Sequence, residues 1–201
     1  SITGFMNQLD SISRLELSIK TLLENTNIFI SGHVSGVSTT SLLFTVTNKD
    51  IDYQKANTLL QKVFSDYKTS EKTYEKTKII NYSKGNNVIC FAVHQDVLMI
   101  TNSSILIEKS VRQLKSGKSL LSDLGFKKLL KTSDKDLDAN IFINYSEFGK
   151  AISTFSGKIF SPVKSFNNFG SWAEVDLNIK NKGLMLNGFS MVNDSTNSYL
   201  N

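Results

Sequence analysis

Glu174 and Asp176 stand two residues apart in the run Trp172-Ala173-Glu174-Val175-Asp176-Leu177-Asn178-Ile179. Alternation of this kind marks a β-strand. It sets Trp172, Glu174, Asp176 and Asn178 on one face and Ala173, Val175, Leu177 and Ile179 on the other. Two carboxylates so placed are about 7 Å apart at the backbone, from a rise of ~3.3 Å per residue. Glycosidases pair carboxylates at comparable separations, and an exposed Trp beside them would stack on a sugar ring. Trp172, Glu174 and Asp176 are therefore the candidate ligand surface of a carbohydrate-binding or carbohydrate-active domain. The competing reading is a solvated strand face whose acids meet lysines across the sheet.

Other chemistry is sparse. His33 and His94 are the only histidines and Cys90 is the only cysteine. A zinc site takes three or four such ligands, and these lie on separate runs. Nucleophilic catalysis needs a base held by a third group. Asp96, two residues after His94, shares its face only if the strand runs that far; otherwise the two mark an ordinary hairpin end. Gly117-Lys118-Ser119 has the closing residues of a phosphate-binding loop. Arg112 stands where the first glycine of that loop belongs, however, and a helix rather than a strand precedes it. No catalytic, cofactor or metal set is complete, so no cofactor is expected. A single cysteine in the apolar run Val88 to Val93 reads as a small buried thiol with no internal disulfide.

The chain has 23 basic against 18 acidic residues, a formal charge of +5. Only Arg14 and Arg112 are arginines. Nucleic-acid readers rely on the bidentate guanidinium, which lysine replaces only as a point charge, so no nucleic-acid partner is expected. Between Ser103 and Lys135 lie Lys109, Arg112, Lys115, Lys118, Lys127, Lys128, Lys131 and Lys135, opposed by Glu108, Asp123 and Asp134. Lysines late in a helix complement its dipole. Lys127, Lys128 and Lys131 also form a candidate patch for an anionic partner or surface.

The elements that would position these residues follow from periodicity. Phe5, Leu9, Ile12, Leu15, Ile19, Leu22 and Leu23 predict an amphipathic helix from about Gly4 to Glu24. Residues 28–35 and 41–47 read as a hairpin. Asp50 is placed to cap a helix buried through Ala56, Leu59, Leu60, Val63, Phe64 and Tyr67. Residues 69–76 read as a charged connection. Strands follow at 78–82, 88–94 and 97–101, with Gln95-Asp96 as a tight reversal. A helix carries Ile107, Val111 and Leu114 and ends at Ser116-Gly117, and Leu120 to Leu130 suggest another. A strand over 138–145, a helix capped by Ser146, a loop over 157–168 and a hairpin of 172–180 with 184–192 complete the chain. Residues 88–93 and 97–100 are apolar on both faces, which requires cover on both sides of the sheet.

The expected class is α+β, a largely antiparallel sheet built from hairpins with intervening helices packed on it. A single domain is expected over 1–192, with 193–201 a polar tail or linker. The start at Ser1 and the polar end suggest a fragment of a longer protein.

The run Phe91-Ala92-Val93-His94-Gln95-Asp96-Val97-Leu98-Met99-Ile100-Thr101-Asn102-Ser103-Ser104-Ile105-Leu106-Ile107-Glu108-Lys109-Ser110-Val111 carries a resemblance: strand, Asp-containing turn, strand, Ser-capped start, helix. Asp138 to Tyr145 and the hairpin of Trp172 to Leu186 extend it. The chain resembles an uncharacterised bacterial domain family of unknown function found in envelope proteins, including those of the Bacteroidetes. Where that family often has Gly after the turn Asp, this chain has Val97. The resemblance implies a non-catalytic structural or interaction module of the bacterial cell envelope, periplasmic or outer-membrane-associated. It would be held at a membrane by a segment absent here, and its partners would be a protein or other domains of the same longer chain.

Overall fold

A computed structural model describes residues 27–34, 40–47, 49, 51–133, 137–156, 170–180 and 183–192. The helix expected over 4–24, the loop over 157–168 and the tail from 193 lie outside these residues. Within the span read from sequence as one domain, the chain forms two compact units, Ser1–Gly117 and Lys118–Asn201. The architecture is α+β.

The first unit is a six-stranded antiparallel sheet with helices on both faces. Its elements are β1 (Asn27–Val34), β2 (Thr40–Thr47), α1 (Tyr53–Val63), β3 (Lys68–Tyr74), β4 (Thr77–Lys84), β5 (Asn87–His94), β6 (Val97–Thr101) and α2 (Ser104–Ser116). The strand order is β1-β2-β6-β5-β4-β3. β5 and β6 are central, and the two-sided apolar pattern read from their sequences is met from both sides. Ala56 and Leu60 of α1, with Phe64 just beyond it, pack on Phe44, Val46, Ile80, Tyr82, Phe91, Leu98 and Ile100. Ile107 and Val111 of α2 pack on Ile79, Cys90, Ala92 and Met99 on the opposite face. Full burial of a side chain such as Leu60 or Ile107 contributes roughly 1.5–3 kcal/mol.

Local chemistry sets the boundaries. Asp52, not Asp50, caps α1, its Oδ1 accepting from Lys55 N at 2.8 Å. Ser103 caps α2 by accepting from Leu106 N at 3.2 Å, and Gly117 ends it in the left-handed region at φ 66°. The connection expected over 69–76 is largely the edge strand β3. Its periodicity was hidden because an edge strand faces water, and Lys68, Glu71 and Lys72 guard it against pairing with another chain. Lys72 also reaches Ser104 Oγ and Glu108 Oε1, each at 2.5 Å, tying the edge to α2. The turns after β3 and β5 carry paired positive φ values at Glu75 and Lys76 (50° and 64°) and at Gln95 and Asp96 (49° and 62°). Such turns match the twist of the flanking strands.

The second unit holds a short 3-10 turn (Leu120–Ser122), α3 (Leu124–Leu129), β7 (Ala139–Asn144), α4 (Tyr145–Ser156), β8 (Trp172–Lys180) and β9 (Gly183–Met191). Its antiparallel sheet runs β7-β8-β9. The core is small: Phe126 and Leu129 of α3 close on Trp172, flanked by Phe142 and Met191. Leu120, Leu121 and Leu124, read as helical core positions, are exposed. At the start of α4 it is Asn144, not Ser146, whose side chain accepts from the Glu147 amide (3.3 Å); Ser146 Oγ donates to the same oxygen. Gly183, expected within the loop, is already paired with Lys180. β9 also approaches β8 closely, since a Cβ on Gly188 would lie 2.4 Å from the Glu174 carbonyl oxygen.

Candidate functional site

β8 is the central strand of the second unit, and its alternation is as the sequence predicts. The solvent assignment is the reverse. Trp172, Glu174 and Asp176 retain 7%, 0% and 8% exposure, so they do not form an exposed ligand-stacking face. Two neighbours explain this. The Trp172 ring is covered edge-on by Phe126 at 5.0 Å, and its indole N–H donates to Asp123 Oδ2 at 3.2 Å. Across the sheet, Glu174 stands opposite Phe142 and Phe189, and Asp176 opposite Asn140 and Asn187, with no lysine among them. Trp172 is a core anchor, and the ring face a sugar would need is occupied.

The two acids meet an amide. Asn140 Nδ2 donates to Asp176 Oδ1 at 2.7 Å and to Ser133 Oγ at 2.8 Å, and it lies 3.5 Å from Glu174 Oε1. Glu174 Oε2 is buried and has no hydrogen-bond partner. Burial pushes the Glu174 carboxyl above the ordinary carboxylate range, and the neighbouring Asp176 adds to the shift. Ser133 and Asn140 oppose it. Sequence reading missed Asn140 and Ser133. The signal for Asn140 was its alternation with Phe142, which puts it on the face of Glu174 and Asp176; Ser133 carried none. Among the described residues, no three His, Cys, Asp or Glu side chains gather as a metal site.

The opposite face of this sheet is open toward β9 and at Ile141 and Ile179, while Ala173 on it is buried. Ile179 pairs across to Leu184 and Leu177 to Leu186, while Ile141 lies opposite Val175 on the other flank. Ile179, Leu184 and Leu186 keep 63%, 61% and 56% exposure, and Ile141 is also exposed. This apolar strip borders the outer edge of β9, with which no strand among the described residues pairs. The edge runs Gly183-Leu184-Met185-Leu186-Asn187-Gly188-Phe189-Ser190-Met191, with no charge and no proline. Natural edges usually carry one or the other.

The histidines sit in the first unit. Ser31 Oγ and His33 Nε2 are 2.8 Å apart on β1, a pair unnoticed in the sequence although residues two apart share a strand face. Burial, helped by Lys109, lowers the His33 pKa and keeps its ring neutral at pH 7. His94 Nδ1 meets Thr77 Oγ1 at 2.8 Å, and its buried Nε2 has no partner. Asp96 does not orient His94, because it occupies the turn itself. Among the described residues, no carboxylate holds either ring. Cys90 is buried, and burial pushes its pKa up to about 11. Lys127, Lys128 and Lys131 are exposed at and just beyond the last turn of α3, where the first two complement the helix dipole.

The chain belongs to the family described as protein of unknown function (DUF3352), which matches residues 35–199. No curated protein and no solved structure matches it.

Proposed function

We propose that this member of a family of unknown function is a non-catalytic interaction module of a bacterial cell-envelope protein. Its contact surface is the open apolar face and free β9 edge of the second unit. The carrying observation is the strip Ile141, Ile179, Leu184 and Leu186, exposed beside a strand edge that bears no protecting charge. Contiguous exposed apolar surface beyond roughly a few hundred Å² marks contact sites on soluble domains. An unpaired edge supplies backbone donors and acceptors for strand addition. The occupant is another domain of the same protein or a protein partner. The envelope assignment rests on the resemblance to envelope proteins. Among the described residues no helix is long and apolar enough to cross a membrane.

The test places a photo-cross-linking residue at Leu186 in the full-length protein in its native cells, with Lys84 as the control position. The reading predicts a discrete adduct from position 186, recovered in the envelope fraction, to one protein or to one segment of the same chain. No adduct above the Lys84 control would overturn the contact surface. Recovery from the cytosol would overturn the localisation.

A further inference from the structure

Four side chains converge in the second unit on one point beside β8. Taken from Asn140 Nδ2, Asp176 Oδ1 lies at 2.7 Å, Ser133 Oγ at 2.8 Å and Glu174 Oε1 at 3.5 Å. Glu174 Oε2 has no hydrogen-bond partner, and the side chain that carries it is excluded from water. Among the described residues, no lysine, arginine or histidine hydrogen-bonds or pairs with either acid in the set. Burying two carboxylates together is costly in desolvation, and Glu174 occupies a central strand where an apolar residue would pack without that cost.

We propose that Ser133, Asn140, Glu174 and Asp176 form a binding site for a hard divalent cation of the calcium class. The donor set is the one such ions take: carboxylate oxygens, an amide oxygen and a hydroxyl, with no nitrogen or sulfur ligand. Rotating the Asn140 amide by half a turn replaces Nδ2 with Oδ1 and turns the group that now donates to the acids into a fourth oxygen ligand. Asn140 is exposed on β7 and opens a route from solvent, whereas Glu174 closes the inner side. Water completes the coordination. With two carboxylates, the affinity belongs to the weak range of extracellular modules, about 0.1–1 mM. This site is independent of the contact surface proposed above, which lies on the opposite face of the sheet.

Trp172, the only tryptophan, sits two residues from Glu174 on the same face and serves as a built-in antenna. Titrating the 201-residue chain with Tb3+ under indole excitation should give saturable lanthanide emission that Ca2+ displaces and K+ does not. Glu174→Gln and Asp176→Asn should each reduce that emission at least tenfold. Ca2+ should raise the melting temperature of the wild type but not of Glu174→Gln. Glu174→Gln is the safe variant, because it removes a buried charge at nearly constant shape; should Asp176→Asn fail to fold, Glu174→Gln decides alone. Emission unchanged in Glu174→Gln would mean adventitious binding by surface acids and overturn the proposal. So would the absence of both emission and a Ca2+-dependent shift in the wild type.

Discussion

One carboxylate holds two elements of the second unit together: Asp123 accepts the Trp172 indole N–H at 3.2 Å through Oδ2 and the Phe126 amide at 3.0 Å through Oδ1. The first contact fixes the largest side chain of a small core, and the second caps α3. Asp123→Ala removes the cap and leaves the indole unpaired, at a cost of about 2 kcal/mol. Asp123→Asn keeps an oxygen for the cap and should lose less than half of that. Urea unfolding followed by Trp172 fluorescence measures both. The Phe126 amide, followed by the indole, holds the Asp123 pKa below its ordinary value. Its share of stability is therefore present above the unfolded-state value of 3.8 and is lost as pH falls through the lower folded value.

Glu174 acts in the opposite sense. Its folded pKa is raised, chiefly by burial. Between the unfolded value of 4.5 and that higher folded value, the folded chain binds more protons than the unfolded chain. Stability is thus fully present below pH 4.5 and declines as pH rises through the window. Thermal melts of the second unit in chelator, read by Trp172 emission, should show this decline, and Glu174→Gln should flatten it.

Cys90 should be inert while the first unit is folded. With its pKa raised from 9.0 to about 11 by burial, the thiolate fraction at pH 8 falls about 100-fold before access is considered. A chromogenic thiol reagent should modify the chain only in denaturant. Rapid labelling under native conditions would show that the sheet opens between α2 and β5.

On the open face, folding and contact separate. Leu184→Ser and Leu186→Ser remove exposed side chains and should change unfolding free energy by no more than about 0.5 kcal/mol. They should also cut binding of an apolar fluorescent dye several-fold. Gly188→Ala is the contrasting variant: its Cβ would meet the Glu174 carbonyl at 2.4 Å, so it should part β9 from β8 and lower the melting temperature.

The sequence makes the first unit legible because its strands obey simple patterns. β5 and β6 are apolar on both faces, and they are the strands that lie between two helices. β3 was read as a connection because an edge strand carries charge for a reason periodicity does not report. In the second unit, alternation placed Trp172, Glu174 and Asp176 on one face correctly, but alternation does not say which face meets solvent. Polar residues were assigned outward by default. Phe126 and Leu129, too close together to define a long helix, instead cover the polar-looking face. On the other face, Ile179, Leu184 and Leu186 stay exposed. Asn140 and Ser133 join the acids from other segments, a relation that spacing along one strand cannot reveal.

Amide hydrogen exchange along β9 tests the contact-surface account most directly. Among the described residues, no strand pairs with the outward amides of Gly183–Met191; these should exchange quickly in the 201-residue chain, while those paired to β8 are protected. In the protein isolated from its native cells with that partner bound, the outward amides should slow at least tenfold as the edge gains its partner. Equal, fast exchange in both preparations would contradict the account.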